Sequence, residues 1–195
     1  MTLSDFLERH LDEGSIIVRI ERVQGSTPRE AGATMIVSHH DSAGTIGGGQ
    51  LEFHCLDLAR DMLAAGEDQR RVDLPLGPQM GQCCGGRVEV SLARATPADL
   101  AALRDDETKA VAGRPQVLIF GAGHTGKALT RCLSLLPLAV TLVDDRPGQF
   151  ADLPEAISCL HLDDPEQALA TAPSGAAFIV LTHSHALDYR LAEAA

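Results

Sequence analysis

Apolar residues recur at Leu3, Phe6, Leu7 and Leu11, the three-and-four spacing of one helix face, and predict an amphipathic helix over residues 2–12 that stops near Gly14. The period then changes to two. Ile16, Val18 and Ile20 alternate with Arg19 and Glu21, which predicts a strand over 15–23 with one buried face and with Arg19 and Arg22 as solvated charges. Further strands are predicted over 33–38, 71–76 and 87–94. Leu51, Cys55, Leu58 and Met62 mark a helix over 50–65, and Thr96-Pro97 opens another through Leu100 and Leu103. This first part of the chain reads as α+β. A polar stretch, DDETKAVAGRP over 105–115, reads as a boundary.

Beyond it the pattern is of another kind. An apolar strand runs into the glycine turn of VLIFGAGHTGKAL (117–129) and an amphipathic helix that ends near Leu136. Then come a second strand in AVTLVDDRP, a third over 157–160, a short helix over 166–170 and a fourth strand over 177–182. The fold class is α/β: an N-terminal α+β domain, 1–112, followed by a Rossmann-like parallel-sheet domain, 113–195, incomplete at its C-terminus. Four strands are about two thirds of a doubly wound sheet, so the remainder is missing, truncated or supplied by a partner subunit.

Composition narrows the function classes. Of 195 residues, 45% are hydrophobic and 22% charged, with 16 basic against 27 acidic side chains and a net charge of −11. No basic cluster forms a nucleic-acid face, and with no Trp, one Tyr and five Phe there are few rings on which bases could stack. No apolar run is long enough to span a membrane, and the N-terminus is a charged amphipathic segment rather than a signal peptide, so a cytoplasmic location is expected. Five cysteines without a C-x-x-C pair argue against a disulfide scaffold or a zinc ribbon and for reduced thiols.

Chemistry concentrates in five stretches. In GPQMGQCCGGRVEV (77–90), glycines allow close approach of a ligand to the backbone beside Gln82, Cys83 and Cys84. The two thiols face opposite sides of an extended chain, so at most one meets a ligand, Cys83 being favoured; otherwise both are structural thiols. Neighbouring glycine amides and Arg87 would favour a thiolate there. In GSTPREAGATM (25–35), Pro28 stiffens a loop that carries Arg29, a planar donor for phosphate or carboxylate. In GTIGGGQLE (44–52), Gly47, Gly48 and Gly49 precede the helix that starts at Gln50, which offers free amides at a positive helix end or else a close packing point. Glu52 complements the helix dipole or bonds a ligand. Gly121, Gly123 and Gly126, with His124 between them, form a G-x-G-x-x-G turn, and Asp144, with Asp145 as alternate, follows at the spacing of a ribose or polyol acceptor. Finally, THSHALD (182–188) delivers His183 and His185 to the carboxyl edge of the sheet, where both are expected to line the ligand crevice. His39 and His40 read as exposed turn residues.

These five stretches, in this order, resemble the XdhC/CoxI family, the xanthine dehydrogenase accessory factors. The resemblance implies a non-catalytic chaperone that binds the molybdenum cofactor, a pterin with a dithiolene and a terminal phosphate. It would protect the cofactor while a cysteine desulfurase partner supports sulfuration, then deliver it to an apo-molybdenum hydroxylase of the xanthine dehydrogenase type. The stretches supply what such a ligand needs, namely an anion site, close backbone approach and a sulfur, with Cys83 the candidate molybdenum ligand. A homodimer is expected, because an interrupted sheet leaves an unpaired edge. Read without the resemblance, the glycine turn points to an NAD(P)-dependent oxidoreductase or to a nucleotide-sensing regulatory protein. No Tyr-Lys proton relay follows the glycines.

Overall fold

Helix α1 (Leu3–His10) starts where a reciprocal cap can form: the Thr2 hydroxyl accepts the Asp5 amide while the Asp5 carboxylate accepts the Thr2 amide. In the computed structural model, which describes residues 1–77 and 85–195, this helix belongs to the first of two units, Met1–Asp106 and Glu107–Ala195.

The first unit is built on an antiparallel sheet of β1 (Ile16–Gln24), β2 (Thr34–Val37), β3 (Ser42–Gly44), β4 (Gln69–Pro75) and β5 (Arg87–Arg94), in the order β3-β2-β1-β5-β4. One face carries Ile16, Val18, Ile20, Val88 and Val90 and packs on α2 (Gly49–Ala65) through Leu51, Cys55 and Met62. The strand pattern predicted this face alone. Yet Ile17 and Ile36 are buried too, because α1 and α3 (Pro97–Ala112) lay Phe6, Leu7 and Leu103 over part of the opposite face. Arg19 lies farther along the same side of β1 as Ile17 and is exposed. Helix α3 runs on into the stretch read as a boundary, and the two units divide within it, between Asp106 and Glu107. Glu107, Lys109, Ala110 and Ala112 are good helix formers, and no glycine intervenes before Gly113.

The second unit is a parallel sheet of β6 (Gln116–Phe120), β7 (Ala139–Asp144), β8 (Ser158–His161) and β9 (Ala177–Val180), in the order β8-β7-β6-β9. The chain moves outward from β6 to β8 and then returns to the far side of β6. A switch point therefore lies at the carboxyl ends of β6 and β9, the place where open α/β sheets bind ligands. Helix α4 (His124–Leu133) places Leu129 and Leu133 in the core cluster of one face. On the other, α5 (Glu166–Thr171) and α6 (His185–Ala194) contribute Ala168 and Leu191 to a cluster with Leu118, Phe120 and Val143. Helices on both faces explain why β6 is an almost unbroken apolar run.

Candidate functional site

In the first unit three of the five stretches meet. Gly47, Gly48 and Gly49 have φ of 127°, 73° and 61°, a succession that only glycines adopt without strain. A Cβ on Gly47 would stand 2.6 Å from Pro28 Cγ and 3.5 Å from Arg29 Cγ, so the triple-glycine loop packs directly on the Pro28–Arg29 loop. That loop in turn lies on the end of the double-cysteine stretch. A Cβ on Gly86 would be 2.2 Å from the Ser26 carbonyl oxygen, and one on Gly25 would be 3.4 Å from Gly86 Cα. The chain enters the stretch at Leu76 and returns at Gly85, with the Gly85 amide donating to the Leu76 carbonyl and the Leu76 amide to Gly86, both at 2.8 Å. Gln82, Cys83 and Cys84 lie outside the described residues.

Part of the expected anion site already has an anion. Glu52 turns back from the first turn of α2, and its Oε2 accepts from Thr45 Oγ1 at 2.6 Å, the Gly48 amide at 3.1 Å and the Ile46 amide at 3.2 Å. The Gly47 amide donates to Thr45 Oγ1. Gln50 is exposed, and a Cβ on Gly48 would meet nothing within 4 Å, so the loop's outer surface stays open. Arg87 is also engaged, with its Nη1 2.6 Å from Asp73. Cys55 is buried, and burial, with the Glu52 carboxylate second, pushes its thiol up to about 12, which leaves it protonated and unreactive at neutral pH. Burial also raises Cys159. Among the described residues no group of three or more His, Cys, Asp and Glu could hold a metal ion.

In the second unit the glycines divide their work. A Cβ on Gly121 would be 2.3 Å from the Leu181 carbonyl oxygen and one on Gly126 1.8 Å from that of Gly121, so both permit close packing of turn, strand and helix. Above Gly123 there is open space, as close approach of a ligand requires. His124 is exposed at the start of α4, which has no side-chain cap.

Asp144, expected to accept a polyol, is 3% exposed and saturated within the chain. Its Oδ2 accepts the Ala122 amide at 2.6 Å and Arg146 Nη2 at 2.8 Å, while its Oδ1 accepts the amide and Nε of Arg146, both at 2.9 Å. Burial opposes its charge. The Arg146 hydrogen bonds, the Ala122 amide and the guanidinium charge outweigh that and hold the carboxyl below its ordinary value. A ribose diol would find no free lone pair there. Arg146 was not singled out in the sequence, although its place two residues after the acid in VDDRP is the available signal, since that offset lets a turn arginine fork onto the strand-end carboxylate. The histidines do not act together. His183 Nδ1 is 3.8 Å from Asp145 Oδ1, whereas His185 is almost wholly exposed with Nδ1 3.5 Å from Asp188. Ser184 caps α6 between them and turns the chain, and Asp188 reaches back to the Thr182 amide and hydroxyl.

Two family models match in chain order, one described as the XdhC and CoxI family over residues 10–74 and one as the XdhC Rossmann domain over 117–195. The chain belongs to the XdhC and CoxI family. The first match contains the Arg29 loop and the triple glycine, and the second contains the whole of the parallel sheet from Val117 onward. Among solved structures, a protein from Bacillus halodurans described as a xanthine dehydrogenase aligns with a TM-score of 0.79 over 100% of this chain and 78% of its own. At 17% identity that likeness shows a shared fold. No curated protein sequence matches the chain. No helix among the described residues is long and apolar enough to cross a membrane.

Proposed function

We propose that the chain is a molybdenum cofactor-binding accessory protein, not itself an enzyme. It would hold the cofactor while a cysteine desulfurase supports sulfuration, then pass it to an apo-molybdenum hydroxylase of the xanthine dehydrogenase type, acting as a homodimer in the cytoplasm. The observation that carries this reading is membership of the XdhC and CoxI family over both units, in order. Local geometry supports it, since the Arg29 loop, the triple glycine and the Gly85–Gly86 return converge, as one binding surface for a single ligand would require. When bound, the cofactor would bring its own dithiolene and molybdenum. The chain's part is to cradle a large anionic heterocycle with backbone and arginine, and Cys83 remains the proposed sulfur ligand.

The NAD(P)-dependent reading has one observation in its favour, the open space above Gly123. Saturation of Asp144 counts against it. Incubating reduced protein anaerobically with cofactor released from a molybdoenzyme, ultrafiltering, and oxidising the retained pterin to its fluorescent derivative tests the proposal. Retention near one equivalent is expected, with much weaker retention of NADH. Turnover of an alcohol or aldehyde with NADH retained and no pterin bound would give the oxidoreductase reading first place.

A further inference from the structure

The arginines of the first sheet are matched with carboxylates almost without exception. Arg22 and Arg71 pair with Glu89, Arg70 with Glu67, Arg87 with Asp73 and Arg94 with Asp68. Arg19 is the one arginine of β1, β4 and β5 that has no carboxylate partner among the described residues. Its Nε donates to Thr34 Oγ1 at 3.3 Å, across the β1–β2 register pair, and Thr34 is itself fixed by donating to the Gly32 carbonyl at 2.9 Å. The guanidinium is therefore oriented by a neutral hydroxyl, with its terminal nitrogens left for something else. Within β1, β4 and β5 an oriented arginine with no carboxylate partner among the described residues is the exception, in a chain of net charge −11.

Arg19 lines a cleft of about 540 Å³, a size that suits a small-molecule ligand. Thr34 forms part of its wall and Gly44 and Thr45 another, while Leu103 and Asp106 of α3 face it from the helix side. Arg29 lines it too, from the loop whose base is packed on Gly47, and likewise has no carboxylate partner among the described residues. Two guanidinium groups from different elements thus share one cleft with a single carboxylate, Asp106. Gly44 permits this shape. With φ of 81° and a hypothetical Cβ only 2.5 Å from the Thr34 carbonyl oxygen and 2.9 Å from Leu3 Cδ2, no larger residue could close that corner.

We infer that this cleft is an anion site for a phosphomonoester, with Arg19 and Arg29 as its two cationic donors. It lies beside the triple-glycine loop, where Glu52 already takes the Gly48 amide and Thr45 the Gly47 amide. Two arginines match a dianionic phosphate in charge, and their planar forks match its oxygens in geometry. The inference rests on the cofactor reading only in making that phosphate the terminal one of the pterin.

Titration of the full chain with inorganic phosphate against chloride at constant ionic strength, followed by the arginine Nε resonances and by calorimetry, tests it. Arg19→Gln and Arg29→Gln should each weaken phosphate binding about tenfold or more. Arg22→Gln, on the same sheet but paired with Glu89, should leave it unchanged. Loss of binding in Arg22→Gln equal to that in Arg19→Gln would reduce the effect to general charge and overturn the inference, as would wild-type affinity in the Arg19→Gln/Arg29→Gln double variant. Pterin retention separates the two readings. If wild type retains cofactor and the double variant retains it equally, the cleft falls and the cofactor reading stands. If phosphate binding depends on both arginines but no cofactor is retained, the cleft stands and the cofactor reading falls.

Discussion

The chain carries two glycine-rich turns that open helices, and each receives a carboxylate from the protein itself. Around the triple glycine it is Glu52, reaching back four residues to the Gly48 amide from inside the helix it helps to start. Around Gly121–Gly126 it is Asp144, coming from the next strand to the Ala122 amide. The difference lies in what holds the carboxylate. Asp144 is buried and gripped by Arg146, whereas Glu52 is half-buried and held by a hydroxyl and two amides, with no cation paired to it among the described residues. Backbone amides at a helix start attract an anion, but the anion can be a side chain, and a glycine pattern alone does not say which.

The largest effect expected from breaking this symmetry is at the gripped carboxylate. Asp144→Asn should cost the second unit about 3 kcal/mol, because it removes the negative partner of a buried pair and sets an NH2 group, which can only donate, where one carboxylate oxygen accepted from Arg146 or Ala122. Denaturant unfolding followed by amide exchange of β6 and β7 would register it, and a change below about 1 kcal/mol, the range of exposed ion pairs, would mean that the pair behaves as a surface contact. Glu52→Ala should cost about 2 kcal/mol, since the Ile46 and Gly48 amides lose their acceptor and water can replace it only in part. Exchange protection at Ile46 should fall selectively. Unchanged protection there would show that the carboxylate is incidental to the loop.

Much of the fold is legible in the sequence because local period decides it. The change from three-and-four spacing to alternation places α1 and β1, Pro97 marks the start of α3, and the glycine turn between two apolar strands places the parallel sheet. What eluded the pattern depends on partners distant in the chain. That Ile17 would be covered depends on α1 and α3, and that Arg19, alone of the arginines on β1, β4 and β5, would have no carboxylate partner among the described residues depends on where Glu89 and Asp73 fall on β5 and β4. Read in isolation, Arg19 and Arg22 are the same residue on the same strand. Pairing across the sheet separates them. The divergence of His183 and His185 likewise follows from the Ser184 cap, whose direction no spacing rule encodes.

A smaller effect, about tenfold in affinity or roughly 1.4 kcal/mol, is expected in ligand choice. Arg146→Gln should release the Asp144 carboxylate toward the open side of the glycine turn, and NADH, weakly held by wild type, should then bind more tightly in a fluorescence titration. The gain should vanish in Arg146→Gln/Asp144→Asn. No gain in the single variant would mean that the second turn is closed to a ribose by shape rather than by occupancy of its acid.

The smallest effect is in the pH dependence of stability, and its sign follows from the direction of the Asp144 shift. The carboxyl is held below its unfolded value of 3.8, so the folded state favours the ionised form. The stability this contributes is fully present above 3.8 and is lost as the pH falls through the lower, folded value. Asp144→Asn lacks an ionisable group at this position. The gap in unfolding free energy between wild type and Asp144→Asn should therefore stay constant from neutrality to just above 3.8, narrow as the pH falls from there through the folded value, and level off below it, because protonated Asp144 can no longer pair as an anion with Arg146. Paired denaturation curves across the acid range measure the gap directly. A gap that instead widens as the pH falls toward 3.8 would mean that burial outweighs the hydrogen bonds from Arg146 and Ala122, and the second turn would then hold its carboxylate no more firmly than the first.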